Sequence, residues 1–525
     1  MVATSQSLAS AAGLAVLRRG GNAVDAAIAT AVALTIVQPG SNDIGGDLFA
    51  LVWDGERLHG LNASGRSPRL LTRELVLEQA TRATAGNGEE PGALGGEQGD
   101  ATVAMPARGW LPVTVPGAPG GWRDLHARFG SLPFAELFED AIQYAEHGYP
   151  VSPYVAAGWR VAAEREQPKL RGDEFAEWSR VFTFGGRAPR AGERWSNPDA
   201  ARTLRGIART NSEDFYRGDI AHAIVAHSER TGGLLRADDL AGHASEWVDP
   251  ISIAYRGHEV WELPPNGQGI AALIALGILD GWAQASLHEQ IEAVKLGFAD
   301  AHAYVADPAL SGPVRDLLTS EYLAGRRALI GERAGRYPAG EPRKGGTVYL
   351  CTADAQGRMV SLIQSNYMGF GSHVVPPGTG FSLQDRGAGF VLEDGHPNVV
   401  GPGKRPYHTI IPAFLTRGGA PVGPFGVMGG HMQPQGHVQV ALATVDARLD
   451  PQEALNRPRW YWHRGLEVLV EPELAGEVDE LRRKGHAASV APSPGVFGMG
   501  QAIWRTPAGY VAGSEPRADG QAMGY

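Results

Sequence analysis

A layered α+β fold is predicted by three features of the sequence. Past residue 345 the chain turns strand-like, with runs at 347–352 and 360–365 joined by the turn residues Asp354-Ala-Gln-Gly357. Further strands at 409–415 and 424–428 are followed by a helical stretch from 435 to about 447, so strands and helices are segregated rather than strictly alternating. The span 117–336 reads as mainly helical with Pro and Gly breaks, and no internal repeat suggests a solenoid.

The remaining elements follow in order. Residues 8–19 are Ala/Leu-rich and stop at Gly20-Gly21, and Asn22 caps a second helix towards Val37, before Pro39-Gly40. The run 27–37 is too short to cross a bilayer and reads as a buried helix. A glycine turn at 41–47 leads to a strand at 48–53 and an Asp54-Gly55 hairpin signal. Residues 84–100 are Gly/Glu-rich and read as an exposed loop. Residues 251–262 read as strand, 270–279 as an apolar helix, and 501–504 pairs with 509–512.

With 525 residues, 43% apolar and 20% charged, the chain is long enough to bury a large core. The net charge of −10 comes with no basic stripe, which argues against a nucleic-acid partner. The single cysteine, Cys351, rules out an internal disulfide. With no basic-then-apolar leader at residues 1–11, the expected location is the cytoplasm, without membrane attachment. GxSxG and GxxxxGK[ST] are absent, and His288-Glu289 opens HExxE rather than HExxH, so neither a metal nor a cofactor is expected.

The segment GGTVYLCTADAQGRMVSLIQSNYMGFG (345–371) resembles the start of the small subunit of γ-glutamyltranspeptidases. AGLAVLRRGGNAVDAAIATAVAL (12–34), DIGGD (43–47), LPPNGQG (263–269), GPGKRPYHTIIP (401–412), VMGG (427–430) and SEPRADG (514–520) match that family's blocks in order along the chain. The intracellular bacterial branch is the most similar.

The resemblance implies an N-terminal-nucleophile hydrolase fold, a four-layer αββα sandwich, and self-cleavage at Gly346–Thr347. The products would be a large chain, 1–346, and a small chain, 347–525, interwoven into one domain as a heterodimer. It implies Thr347 as nucleophile, Gly429 and Gly430 as the oxyanion hole, and Ser365 as the group that orients the nucleophile. Arg66, His408, Thr409 and Arg386 fall at or near its substrate-binding positions. The chemistry is coherent in itself: a free α-amine has a pKa near 7.7–8.0 and can take the proton of its own hydroxyl, which an amide nitrogen cannot.

Two departures bear on the substrate. In QDRGAGF (384–390), Ala388-Gly389 stands where the family carries the acid that pairs with a substrate α-ammonium. The segment 390–404 is short, which implies that the lid loop is missing. The expected activity is transfer or hydrolysis of γ-glutamyl groups from glutathione-like compounds. The alternatives are a glutaryl-amide acylase of the cephalosporin type with the same machinery, and a catalytically silent binding protein of the same fold.

Overall fold

In the computed structural model, which describes residues 1–79, 104–337 and 346–525, two antiparallel sheets lie face to face between helices. The loop expected at 84–100 lies outside the described residues. The first sheet has seven strands, in the order Gln521–Met523, Val2–Thr4, Gly346–Ala353, Met359–Tyr367, Asp47–Trp53, Leu58–Ala63 and Glu246–Val248. The second has six, in the order Gly509–Ser514, Met499–Thr506, Ala420–Met428, Ala413–Arg417, His258–Glu262 and Ile251–Tyr255.

The outer faces are covered by helices whose sequences are apolar on every side, as a helix surrounded by protein requires. Ala23–Val37 is buried along its whole length and packs on the first sheet. Its entry is a capping box, in which Asn22 accepts from the Val24 and Asp25 amides while Asp25 accepts from the Asn22 amide. Gly269–Leu279 is equally buried and packs on the second sheet beside Met432–Val445. The layers are therefore αββα.

Two strand expectations change. The run 251–262 is a hairpin, Ile251–Tyr255 and His258–Glu262, turning at Arg256-Gly257. The strand expected at 409–415 begins only at Ala413. The residues before it bond to other partners: His408 N donates to the Asn266 carbonyl (2.8 Å) and Ile411 N to Gln433 Oε1 (3.0 Å). Those amides are consequently committed outside the sheet ladder.

Candidate active site

Thr347 stands second in the strand Gly346–Ala353 and is buried. Side chains alternate along a strand, so Thr347 shares a face with Tyr349. Tyr349 packs against Gly426 of the second sheet, which places Thr347 in the gap between the sheets, at one end. The neighbouring strand bulges at this point. Gln364 pairs with Val348 and Tyr367 with Gly346, which leaves Ser365 and Asn366 opposite the single Thr347. A bulge re-aims a side chain, and here it brings Ser365 Oγ to 3.2 Å from Thr347 Oγ1, the threonine donating.

Ser365 Oγ also accepts from the Tyr367 amide (2.8 Å) and from Arg386 Nη2 (3.1 Å). The Arg386 Nη1 donates to Thr409 Oγ1 at 2.9 Å, and the guanidinium lies 4.4 Å from the Tyr367 ring centre. Arg386 is fully buried, and among the described residues its guanidinium forms no ion pair with a carboxylate; its Nε has no hydrogen-bond partner. Burial pushes its pKa down to about 10, partly offset by Asp47, Tyr367 and Asp385 nearby, so it stays cationic at neutral pH. A buried cation with no carboxylate in direct contact is costly, and an incoming carboxylate would supply that contact.

Around this cation the acids are held back. Asp385 is buried, accepts from the Met368 amide through Oδ1, and leaves Oδ2 without a hydrogen-bond partner. Burial pushes its pKa up to about 8 despite the Met368 hydrogen bond and Arg386. Ala388 and Gly389 lie in the short 3-10 turn Arg386–Gly389 and bring no acid. The segment 390–404 folds onto itself, with Lys404 Nζ donating to the Val399 carbonyl, and its Phe390 and Val400 pack with Leu71, Val76 and Met105.

His408 is also buried, with both ring nitrogens engaged. Nδ1 accepts from the Ile410 amide (3.3 Å), which makes Nε2 the donor to Asp47 Oδ2 (3.1 Å). Burial holds its pKa well below 6.5, with Arg386 adding to the effect. Asp47 Oδ1 accepts from the amides of Gly65 and Gly117 and from Gln384. Burial lifts Asp47 to about 6 although Arg386 and these donors pull it down. One carboxylate thus ties together five segments around the site.

Gly429 and Gly430 follow the strand Ala420–Met428 and have φ of 128° and 62°, the region that favours glycine. Their carbonyls are fixed: Gly429 O accepts from Met432 N (3.1 Å), and Gly430 O from Gln433 N (3.2 Å) and Gln268 Nε2 (2.9 Å). In a trans peptide the N–H opposes the C=O, so the Gly430 amide points away from the helix Met432–Val445.

Arg66 lies apart from this cluster in its contacts. It is half-exposed and pairs with Asp307 (2.8 Å) and Glu246 (3.4 Å). The described residues contain one group with metal-ligand chemistry, His288, Glu292 and His486, whose ligand atoms lie within 4.8 Å of one another. Lys295 Nζ already sits 2.5 Å from Glu292 Oε1, while Gly335 N and Tyr337 OH donate to Oε2. A metal ion there would have to displace a buried ammonium, so the donor set fits a lysine better than a second cation.

Sequence reading missed Asp47, Gln268 and Gln433 as site residues. Asp47 and Gln268 lie inside DIGGD and LPPNGQG, where an acid and an amide amid glycines were the available signal. Gln433 lies three residues after Gly430 and donates from Nε2 towards Thr347 Oγ1 at 3.4 Å.

A family model described as gamma-glutamyltranspeptidase matches residues 9–525. The "Glutathione hydrolase-like YwrD proenzyme" of Bacillus subtilis is 34% identical over 545 residues, covering 100% of this chain and 98% of the relative. The "Oxamate amidohydrolase proenzyme" of Klebsiella pneumoniae is 34% identical, with the same coverage of 100% and 98%. The crystal structure of cephalosporin acylase from Bacillus halodurans superimposes with a TM-score of 0.92 at 50% identity, covering 100% of this chain and 96% of that one. The chain belongs to the γ-glutamyltranspeptidase family, whose members are enzymes.

Proposed function

We propose that the chain is a self-processing acyl-transfer enzyme that cuts itself at Gly346–Thr347 and then uses Thr347 to attack γ-glutamyl and related dicarboxylic amides. The observation that carries this is the buried chain from Thr347 through Ser365 to Arg386 and Thr409, which puts a cation with no carboxylate in direct contact, among the described residues, beside the nucleophile. The amide carbonyl would meet Thr347 Oγ1, with the Gly429 and Gly430 amides taking the developing oxyanion. The free carboxylate of the acyl group would bind Arg386 and Thr409. The α-amine released by cleavage serves as base, the acyl group passes to Thr347 Oγ1, and water or an acceptor amine removes it. "Proenzyme" in the names of two relatives supports the processing step. The matured protein would be a heterodimer of 1–346 and 347–525, and the single buried cysteine suits a cytoplasmic location.

A second reading favours glutaryl-type amides, and one observation speaks for it: Ala388-Gly389 offers no carboxylate for an α-ammonium, and Asp385 is pushed towards its neutral form. The cephalosporin acylase is a solved relative at 50% identity. On a denaturing gel, the 55.6 kDa chain should give two bands, and Thr347→Ala should stay whole and inactive. A Thr347→Ala protein that still splits or turns over would overturn the assignment. The ratio of γ-glutamyl- to glutaryl-p-nitroanilide turnover then separates the two substrates.

A further inference from the structure

Gln433 occupies the first turn of the helix Met432–Val445 and is fully buried. The Ile411 amide donates to its Oε1 at 3.0 Å. A main-chain N–H can only donate, so this contact fixes which end of the side-chain amide is oxygen. The NH2 end therefore faces Thr347 Oγ1, 3.4 Å away. Its own main-chain N–H holds the Gly430 carbonyl, so Gln433 links the nucleophile to the glycine turn.

We propose that Gln433 is a catalytic residue: its Nε2–H stabilises the negative charge on Thr347 Oγ1 when that oxygen leaves the acyl group. The inference rests on Thr347 being the nucleophile. In the acyl-enzyme, Thr347 Oγ1 is an ester oxygen and has lost the proton it donated to Ser365. Water adds to the ester carbonyl carbon and gives a proton to the Thr347 α-amine. The C–Oγ bond then breaks, its electron pair goes to Oγ, and the α-ammonium returns the proton there. The free acid departs and the threonine is regenerated. Throughout, Gln433 is a donor that does not depend on the hydroxyl proton. Self-cleavage passes through an ester of the same oxygen with the Gly346 carbonyl, so it should use the same donor.

Catalytic hydrogen bonds often tighten only as charge develops. Losing one donor to an oxyanion costs about 100- to 1,000-fold in kcat, and a contact starting long is expected to cost about ten- to a hundredfold. The test uses matured Gln433→Glu and Gln433→Met enzyme with a chromogenic anilide. Slower deacylation should appear as a burst of one amine per site followed by a steady rate about ten- to a hundredfold below wild type. The carboxylate of Gln433→Glu can still accept from the Ile411 amide, so a merely structural role leaves this variant near wild type. A catalytic role makes it as slow as Gln433→Met above neutral pH, and its rate relative to wild type rises in acid as the carboxyl protonates and becomes a donor. If Gln433→Glu does not fold, the burst in Gln433→Met carries the same information. Wild-type rates and pH profile in Gln433→Glu, or no burst in Gln433→Met, overturn the inference. Should Thr347→Ala remain active, the nucleophile assignment fails instead, so the two failures are distinguishable.

Discussion

Replacing Arg386 by methionine tests the substrate pocket most directly. The guanidinium is buried, cationic at neutral pH and donates to both Ser365 and Thr409 without a carboxylate partner among the described residues. Truncating one partner of a buried charge pair costs about 2–5 kcal/mol, which is about 30-fold to several thousand-fold in kcat/KM. That loss should fall on glutaryl-p-nitroanilide, whose carboxylate is the partner. Valeryl-p-nitroanilide has the same chain length and no carboxylate, so it should lose no more than about tenfold, through the disturbed Ser365 contact. Stability should change little, because the desolvation cost that the apolar side chain removes is offset by the support that buried Asp47 loses. The assay is kcat/KM on the two anilides with a thermal melt of each protein. Equal losses on both substrates would show that Arg386 acts only on Ser365, and a large fall in Tm would show that the cation stabilises the fold.

Two further substitutions probe other buried charges. Asp385 is held near pKa 8 in the folded protein, against an ordinary value of 3.8, so it binds a proton that the unfolded chain releases. Its contribution to stability is complete below about pH 3.8 and is lost as pH rises through about 8. Asp385→Asn, which mimics the neutral acid, should flatten the decline of Tm between pH 5 and 8 measured by calorimetry; an unchanged slope would remove Asp385 from the account. Lys295→Met strands Glu292 in the interior and should cost about 3–5 kcal/mol in denaturant unfolding. Zinc should leave the wild-type Tm unchanged, since Lys295 already holds the cation's place.

The parts of the fold legible in the sequence are those with local causes. The helix Ala23–Val37 is marked by its cap and its largely apolar sequence, and the hairpin of Gly346–Ala353 and Met359–Tyr367 by its turn residues. Neither the bulge nor the Asp47 junction has such a cause. The Ser365–Asn366 bulge exists because two strands pair out of register beside Thr347, which no pattern of alternation records. Asp47 gathers Gly65, Gly117, Gln384 and His408, residues far apart in the chain, and one acid in a glycine turn does not announce those partners. The same distance hides Gln433, whose side chain is oriented by the Ile411 amide of a loop on another segment. Family blocks point to the glycines and the threonine, but the charge balance of the pocket emerges only when Arg386 is seen buried and Arg66 is seen paired with Asp307.

On the proposed mechanism one buried cation serves two reactions with different needs. In the uncut chain the nitrogen of Thr347 is an amide and cannot be a base. The Thr347 hydroxyl instead donates to Ser365, whose oxygen also receives Arg386 and the Tyr367 amide. With no carboxylate in direct contact, the Arg386 charge is only partly offset by Asp47 and Asp385, and the remainder is available through Ser365 to favour negative charge on the attacking oxygen. A bound substrate carboxylate neutralises much of that charge, so the same electrostatic help is not available in turnover. Cleavage supplies the replacement in the α-amine, whose pKa near 7.7–8.0 suits a base at neutral pH. The order of events is then a consequence of the charges: self-cleavage runs on an empty pocket, and catalysis on a filled one. A dicarboxylic acid added to the precursor should accordingly slow self-cleavage by occupying Arg386, and acceleration by such an acid would contradict this division of labour.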